Sequence, residues 1–159
     1  MYVVRRWSVR YSRQLNMAYQ VLEVVLNKLH PLLALVGYER LEPYFQFIER
    51  QFKTLLFDCQ MCGQCVLNST GMACPMNCPK TIRNGPCGGV RPNGHCEVKP
   101  EMRCVWVEAS RGAQQLRNGE RIAHVQFAVD SRLRGRSSWI AVARDARRAN
   151  EFDVVRSQS

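Results

Sequence analysis

The sequence contains no run of about 20 apolar residues, so a membrane-spanning helix is not expected. With 159 residues it is too short for a cofactor-binding barrel of roughly 250. Any chemistry that needs such a barrel would therefore draw its active site from another chain. Histidine is scarce: His30, His95 and His124 are scattered, and no nucleophile–base pair is evident. A stand-alone enzyme has little support, and no catalytic residue is assigned. Gly88-Gly89 lacks the strand-then-helix setting of a dinucleotide loop. No apolar core with a small-residue cleavage site follows the first residues, so secretion is not expected and a cytoplasmic location is. Acidic residues are missing at the start, where Arg5, Arg6, Arg10 and Arg13 all precede Glu23. A transit peptide has such a composition, but a basic flank on a first helix accounts for it as well and is preferred.

The formal net charge is +10, and basic excess is spread along the chain. Residues 1–58 contribute +3, residues 59–104 +3 and residues 105–159 +4. A nucleic-acid-binding tail would concentrate it. The aromatic residues fall in helical stripes instead of alternating with a basic groove, which also speaks against single-strand binding. Four thiolates around zinc or a [4Fe–4S] core leave two negative charges, so two such sites would lower +10 to about +6.

Three sections are visible: 1–58, 59–106 and 107–159. In the first, Leu15, Ala18, Leu22, Val25 and Leu29 alternate by three and four, which predicts one helix face. His30-Pro31 disturbs the pattern, because a residue before proline avoids the helical region. Gly37 permits a bend. Leu41, Phe45, Ile48, Phe52 and Leu55 then predict a second face, with Pro43 in the first turn of that helix. The section reads as a helical hairpin whose stripes pack on each other or on a partner. Packing is also the reading for Tyr44, Phe45 and Phe47, in preference to a cofactor role.

The middle section holds all eight cysteines, and residues 59–104 hold five of the seven prolines and six of the ten glycines. Long helices or strands are not expected there. It has too few large apolar residues for a core of its own, and bound metal is the natural substitute. The last section is mixed. Val105-Trp106-Val107 is a short strand or a helix start, Gly112 and Asn118-Gly119 mark loops or turns, and Ser137-Ser138 caps a helix from Trp139 to about Asn150. Arg144, Arg147 and Arg148 would lie near one face of that helix, solvated or docked on a partner. The section reads as an extension for partner docking. The fold class expected is α with an irregular, metal-stabilised module: a hairpin, a loop-rich cluster-binding domain with eight cysteines, and a short mixed segment with a helix.

The candidate metal ligands are Cys59, Cys62, Cys65, Cys74, Cys78, Cys87, Cys96 and Cys104. Without a secretory signal, disulfides are disfavoured. Thiolates are soft ligands, and both zinc and iron–sulfur clusters accept four of them. The C-x2-C-x2-C run of Cys59, Cys62 and Cys65 opens the bacterial ferredoxin pattern. There a remote cysteine followed by proline supplies a fourth ligand, and both Cys74-Pro75 and Cys78-Pro79 have that form. The match is incomplete, because eight residues separate Cys65 from Cys74. Zinc modules more often pair two C-x2-C units, which Cys59/Cys62 and Cys74/Cys78 only approximate. Eight thiolates divide into two sites of four. One partition gives Cys59, Cys62, Cys65 and Cys78 to the first, and Cys74, Cys87, Cys96 and Cys104 to the second. His95 beside Cys96 is a possible ligand and more often a turn residue. Gly63, Gly85, Gly88 and Gly89 would let backbone approach a cluster. Lys80, Arg83 and Arg91 are either surface charge or partners of an anionic centre.

The run Cys59-Gln60-Met61-Cys62-Gly63-Gln64-Cys65, then Thr70-Gly71, Cys74-Pro75-Met76, Cys78-Pro79-Lys80, Arg83-Asn84-Gly85-Pro86-Cys87-Gly88-Gly89, Cys96-Glu97-Val98 and Cys104-Val105-Trp106 resembles the methylenetetrahydrofolate reductase C-terminal domain family. Leu133-x-Gly135-x-Ser137-Ser138-Trp139 is a weaker echo. The resemblance implies a small cysteine-rich, non-catalytic subunit of an oxidoreductase in one-carbon metabolism. It implies two [4Fe–4S] clusters on the eight cysteines, with zinc at one or both sites as the alternative. FAD or FMN and the folate would sit on a separate flavin-dependent catalytic subunit, to which this chain relays electrons. An electron-donor protein is a further partner; nucleic acid and membrane are not expected. The competing reading is a redox-inert zinc module that docks on and stabilises the catalytic subunit.

Overall fold

The computed structural model describes residues 2–144. Among these residues the protein is helical. Strand-like pairing is confined to two isolated antiparallel bridges, Val90 with Cys96 and His95 with Arg103. The helices are α1 (Tyr2–Arg10), α2 (Ser12–Val36), α3 (Tyr38–Phe57), α4 (Val105–Ala113) and a last one, α5, at residues 138–144. Single 3-10 turns lie at Pro75–Asn77, Gly119–Ala123 and Ser131–Leu133. No helix among the described residues is long and apolar enough to cross a membrane.

The hairpin is present, and Gly37 turns it at φ +96°, a region closed to most side chains. The basic flank forms a helix of its own. Val9 of α1 packs with Ala73, Trp106 and Ala109, and the buried Ser8 hydroxyl donates to the Val4 and Leu56 carbonyls. Arg5 pairs with Asp58 at the end of α3.

One expectation for the hairpin, the place of Pro43, is corrected, and two are sharpened. Pro31 does not end α2. It forfeits one backbone bond, yet Leu26 and Leu33 on either side are buried, and Tyr38 donates its hydroxyl to the His30 carbonyl at 3.3 Å. Packing holds the last turn in place of the missing bond. Pro43 lies beyond the first turn, because α3 already starts at Tyr38. The buried faces are also rotated from the apolar stripes. On α2 the inward positions are Ser12, Leu26 and Leu33, while Val25 and Leu29 are exposed. On α3 they are Glu49, Lys53 and Phe57, while Ile48, Phe52 and Leu55 face water. A polar network has taken the core side of α3.

Residues 59–104 contain no helix beyond the 3-10 turn, as their composition predicts. The loop is folded by its own polar groups. The Val66 carbonyl accepts from the backbone and hydroxyl groups of both Ser69 and Thr70, and the Thr70 hydroxyl also lies 2.7 Å from the Ala73 carbonyl. Gly112 is inside α4 and not in a loop. Its close neighbour explains it: a Cβ on Gly112 would stand 2.1 Å from the Gly71 carbonyl oxygen, so this contact of α4 with the loop requires glycine on both sides. The Ser12 hydroxyl donates to the Gly112 carbonyl at 3.1 Å and ties α2 to the same point. Val105-Trp106-Val107 opens α4, and the Trp106 indole N–H donates to the Ile82 carbonyl.

Ser137 caps α5 by accepting from the Ile140 N–H at 3.3 Å. Arg144 pairs with Glu42 and lies over the Tyr38 ring, so it docks within the chain. The rest of the predicted helix, with Arg147 and Arg148, lies outside the described residues. Ahead of α5 the chain crosses the first cysteine loop. Gly135 donates to the Met61 carbonyl at 2.7 Å, and Asp130 N–H donates to the Gln64 side chain at 2.8 Å.

Candidate metal centre

Cys59, Cys62, Cys65 and Cys74 line one small cavity. The end of α3 sets the first of them: Asp58 adopts a left-handed conformation at φ 52°, closes the helix, and sends the chain into the cysteine run. Gly63, at φ +76°, lets the run pass under Leu133, whose carbonyl oxygen would be 2.2 Å from a Cβ there. The close approach that this glycine permits is thus to the 130–135 segment. Cys74 arrives from the other side, between the Thr70-anchored loop and the 3-10 turn. That turn directs Cys74 and Cys78 differently. Its buried Asn77 donates to the Phe57 carbonyl at 2.9 Å, which fixes the turn against α3. Cys74 shares this cavity with the first three thiols, and Cys78 is not among the residues that line it.

α3 contributes the charge. Lys53 and Glu49 face the same cavity with side chains only 2% exposed, and their ion pair is 2.7 Å long. The Lys53 ammonium also donates to the Ser138 hydroxyl at 2.7 Å and the Tyr19 hydroxyl at 3.1 Å, and lies over the Tyr19 and Trp139 rings. The Glu49 carboxylate accepts from the Ser137 and Ser138 hydroxyls at 2.5 and 2.6 Å. It also accepts from the N–H groups of Ser138 and Trp139, at the positive end of α5. The ammonium and the carboxylate are both partnered, the condition under which a buried pair is tolerable, while the Trp139 indole nitrogen beside them is buried without a hydrogen-bond partner. Burial opposes the Lys53 charge, but the neighbouring Cys65, Tyr19 and Glu49 outweigh it and hold its pKa above the ordinary value. Arg83 also lines the cavity; one nitrogen donates to the Gln64 carbonyl, and its Nε and Nη1 are buried without a hydrogen-bond partner.

Burial pushes the Cys59 thiol from 9.0 up to about 11 and the Cys74 thiol up to about 12. At neutral pH both hold their protons unless a cation displaces them. The sign for stability follows. Folding favours the neutral thiol, so this contribution is complete below pH 9 and is lost as pH rises through about 11 to 12. The chain without bound metal should therefore show a midpoint of thermal unfolding that falls steadily over that alkaline range, and titration monitored by circular dichroism will check it. A flat profile from pH 8 to about 11 would contradict the buried placement of these thiols.

The remaining cysteines are arranged differently. Cys78 follows the 3-10 turn. Cys96 and Cys104 belong to a tight knuckle in which Cys96 donates to Met102 and Cys104 to Gly94. Cys87 is exposed and lies 3.7 Å from Glu97, which pairs with Lys80. His95 occupies the turn of that knuckle, with its carbonyl accepting from Arg91. All eight cysteines are free thiols.

Among the described residues no three Cys, His, Asp or Glu side chains converge closely enough to hold a metal ion. The structure therefore does not itself display a metal-stabilised module. The first cavity nonetheless fits an anionic thiolate centre by donor chemistry. It has four thiols, a buried ammonium, and a half-buried guanidinium with two unpartnered nitrogens. Sequence reasoning missed Tyr19, Glu49, Lys53 and Ser138 as site residues. Glu49 and Lys53 are an i,i+4 opposite-charge pair, which on a helix normally signals a solvated face. The signal lay in the hydroxyl pair Ser137-Ser138 beside Trp139, far along the chain.

A family model described as methylene-tetrahydrofolate reductase C terminal matches residues 38–132, more than half of the chain. No curated protein and no solved structure matches it. The matched span runs from the start of α3 to the segment over the first cysteine loop, and includes all eight cysteines.

Proposed function

Because the chain belongs to the methylene-tetrahydrofolate reductase C-terminal family, we propose that it is a non-catalytic iron–sulfur subunit of a methylenetetrahydrofolate reductase complex. It would relay electrons to the flavin, FAD or FMN, of a separate catalytic subunit. The observation that carries this reading is the cavity in which Cys59, Cys62, Cys65 and Cys74 meet the buried ammonium of Lys53 and the half-buried guanidinium of Arg83. These four thiols would hold one [4Fe–4S] cluster, and Cys78, Cys87, Cys96 and Cys104 would hold the second. A bound cluster supplies one-electron transfer at a potential set by burial, charge and hydrogen bonds.

The chain's own residues do the rest. Lys53 and Arg83 offset the negative charge of four thiolates. Tyr19 packs in the same cluster as Cys65 and accepts from the Lys53 ammonium, which holds that cation beside the thiols. The 130–138 segment closes over the first cysteine loop and limits access of water. Folate and flavin binding are assigned to the partner.

Anaerobic purification together with the flavoprotein partner, followed by iron, zinc and flavin analysis, tests the reading. About eight irons per chain are expected, four for each cluster, with a broad visible absorption that bleaches on reduction. A colourless chain with about two zinc ions and no iron, unfolded by chelators, would establish the redox-inert structural module in its place.

A further inference from the structure

The side of α3 turned away from the cavity is apolar and uncovered. Tyr44, Phe47, Phe52 and Leu55 are 70, 64, 59 and 69% exposed, and Ile48 lies among them. Their spacing by three and four places them on one side of the helix. α2 carries a matching stripe from Met17 to Val36, in which Val21 is 63% and Leu35 84% exposed. The two helices expose thirteen large apolar side chains. At on the order of 60–100 Å² each, these reach the roughly 800 Å² per partner of a standard interface. Monomers do not ordinarily leave contiguous patches of that size in water.

We infer that this face of α2 and α3 is the docking surface for the flavin-dependent reductase chain, an inference that rests on the function proposed above. Two observations select that occupant. A second copy is disfavoured by charge. Each chain is +10, and the exposed charges of the two helices are Arg13, Lys28, Arg40 and Arg50 against Glu39 alone. Two such faces repel at the rim, whereas a partner with carboxylates around an apolar patch complements it. Position is the second. α3 presents Lys53 to the thiol cavity and Ile48 and Leu55 to the opposite side, so a protein docked on this face lies about one helix diameter, ~10 Å, from the cysteines. The same helix would then connect the electron carrier with the flavoprotein.

The experiment mixes the purified, metal-loaded full chain with the flavin-containing methylenetetrahydrofolate reductase chain of the same organism, and reads complex formation by size-exclusion chromatography with light scattering. The paired substitution Phe52→Glu and Leu55→Glu should weaken binding by about a hundredfold while metal content and Tm stay unchanged. Val125→Glu, at another exposed apolar position, should leave binding intact. If the wild-type chain binds and the paired variant binds equally well, the surface is wrong and the proposed function stands. If the wild-type chain does not bind the reductase, both fall. A wild-type homodimer that the paired variant dissolves would assign the face to a second copy and overturn the inference. Hydrogen exchange on the unsubstituted chain gives a readout independent of folding: amides of residues 40–57 should be protected in the complex, and unchanged exchange there would also overturn it.

Discussion

Cys74→Ser is expected to remove one complete cluster, about four of about eight irons, and adding Cys59→Ser to it should remove no more. Cys78→Ser should likewise remove about four, but adding Cys59→Ser to that variant should remove nearly all. Ligands of one centre are non-additive because the first loss already destroys the site, while ligands of different centres are lost independently. The pairing follows from the fold. Cys74 lines the cavity with Cys59, Cys62 and Cys65, and the Asn77-anchored turn separates it from Cys78. Iron analysis of the four variants after anaerobic reconstitution decides the matter. If Cys74→Ser with Cys59→Ser strips nearly all iron and Cys78→Ser with Cys59→Ser only half, then the grouping by spacing is correct and the cavity is not a cluster site. Cys74→Ser should also lower stability, since this side chain packs with Phe57, Leu67 and Met72 under the end of α3.

What could be read from the chain alone divides along a physical line. Local signals were dependable. The density of proline and glycine foretold the irregular 59–104 stretch, Gly37 the hairpin turn, and Ser137 a helix cap. The family motif also lay in plain view, because cysteine spacing is local. Orientation was not legible. An apolar stripe says which residues share a helix face, but not whether that face meets the chain's own core or another protein. On α3 the stripe of Ile48, Phe52 and Leu55 is outside, and Glu49 and Lys53 are inside. The choice depends on Ser138, which lies 85 residues from Lys53 and supplies its hydroxyl partner. The same nonlocality concealed the Cys74 placement. Spacing measures distance along the chain, whereas the 3-10 turn and Asn77 determine direction.

Lys53→Met should be the most damaging single substitution outside the cysteines. It deletes a charge that is only 2% exposed and leaves Glu49 buried without its cation. Removing one partner of a buried pair costs about 3–5 kcal/mol, and for a chain of this size that corresponds to a fall in Tm of roughly 6–20 °C. Glu49 would keep four donors from Ser137, Ser138 and Trp139, which places the effect nearer the lower figure. A second effect separates two roles of the lysine. If it only balances Glu49, the loss is equal with and without metal, and Glu49→Gln combined with Lys53→Met restores most of it. If it also offsets the thiolates beside it, the loss is larger in the loaded chain, and the paired variant recovers stability only when metal is absent. The second outcome is expected, because Lys53 faces the same cavity as Cys65, which is a thiolate when metal is bound. Thermal unfolding of the single and paired variants, each with and without reconstitution, measures the difference. Equal losses in both states would confine Lys53 to a structural role and leave Arg83 and Arg136 as the cations that face the centre.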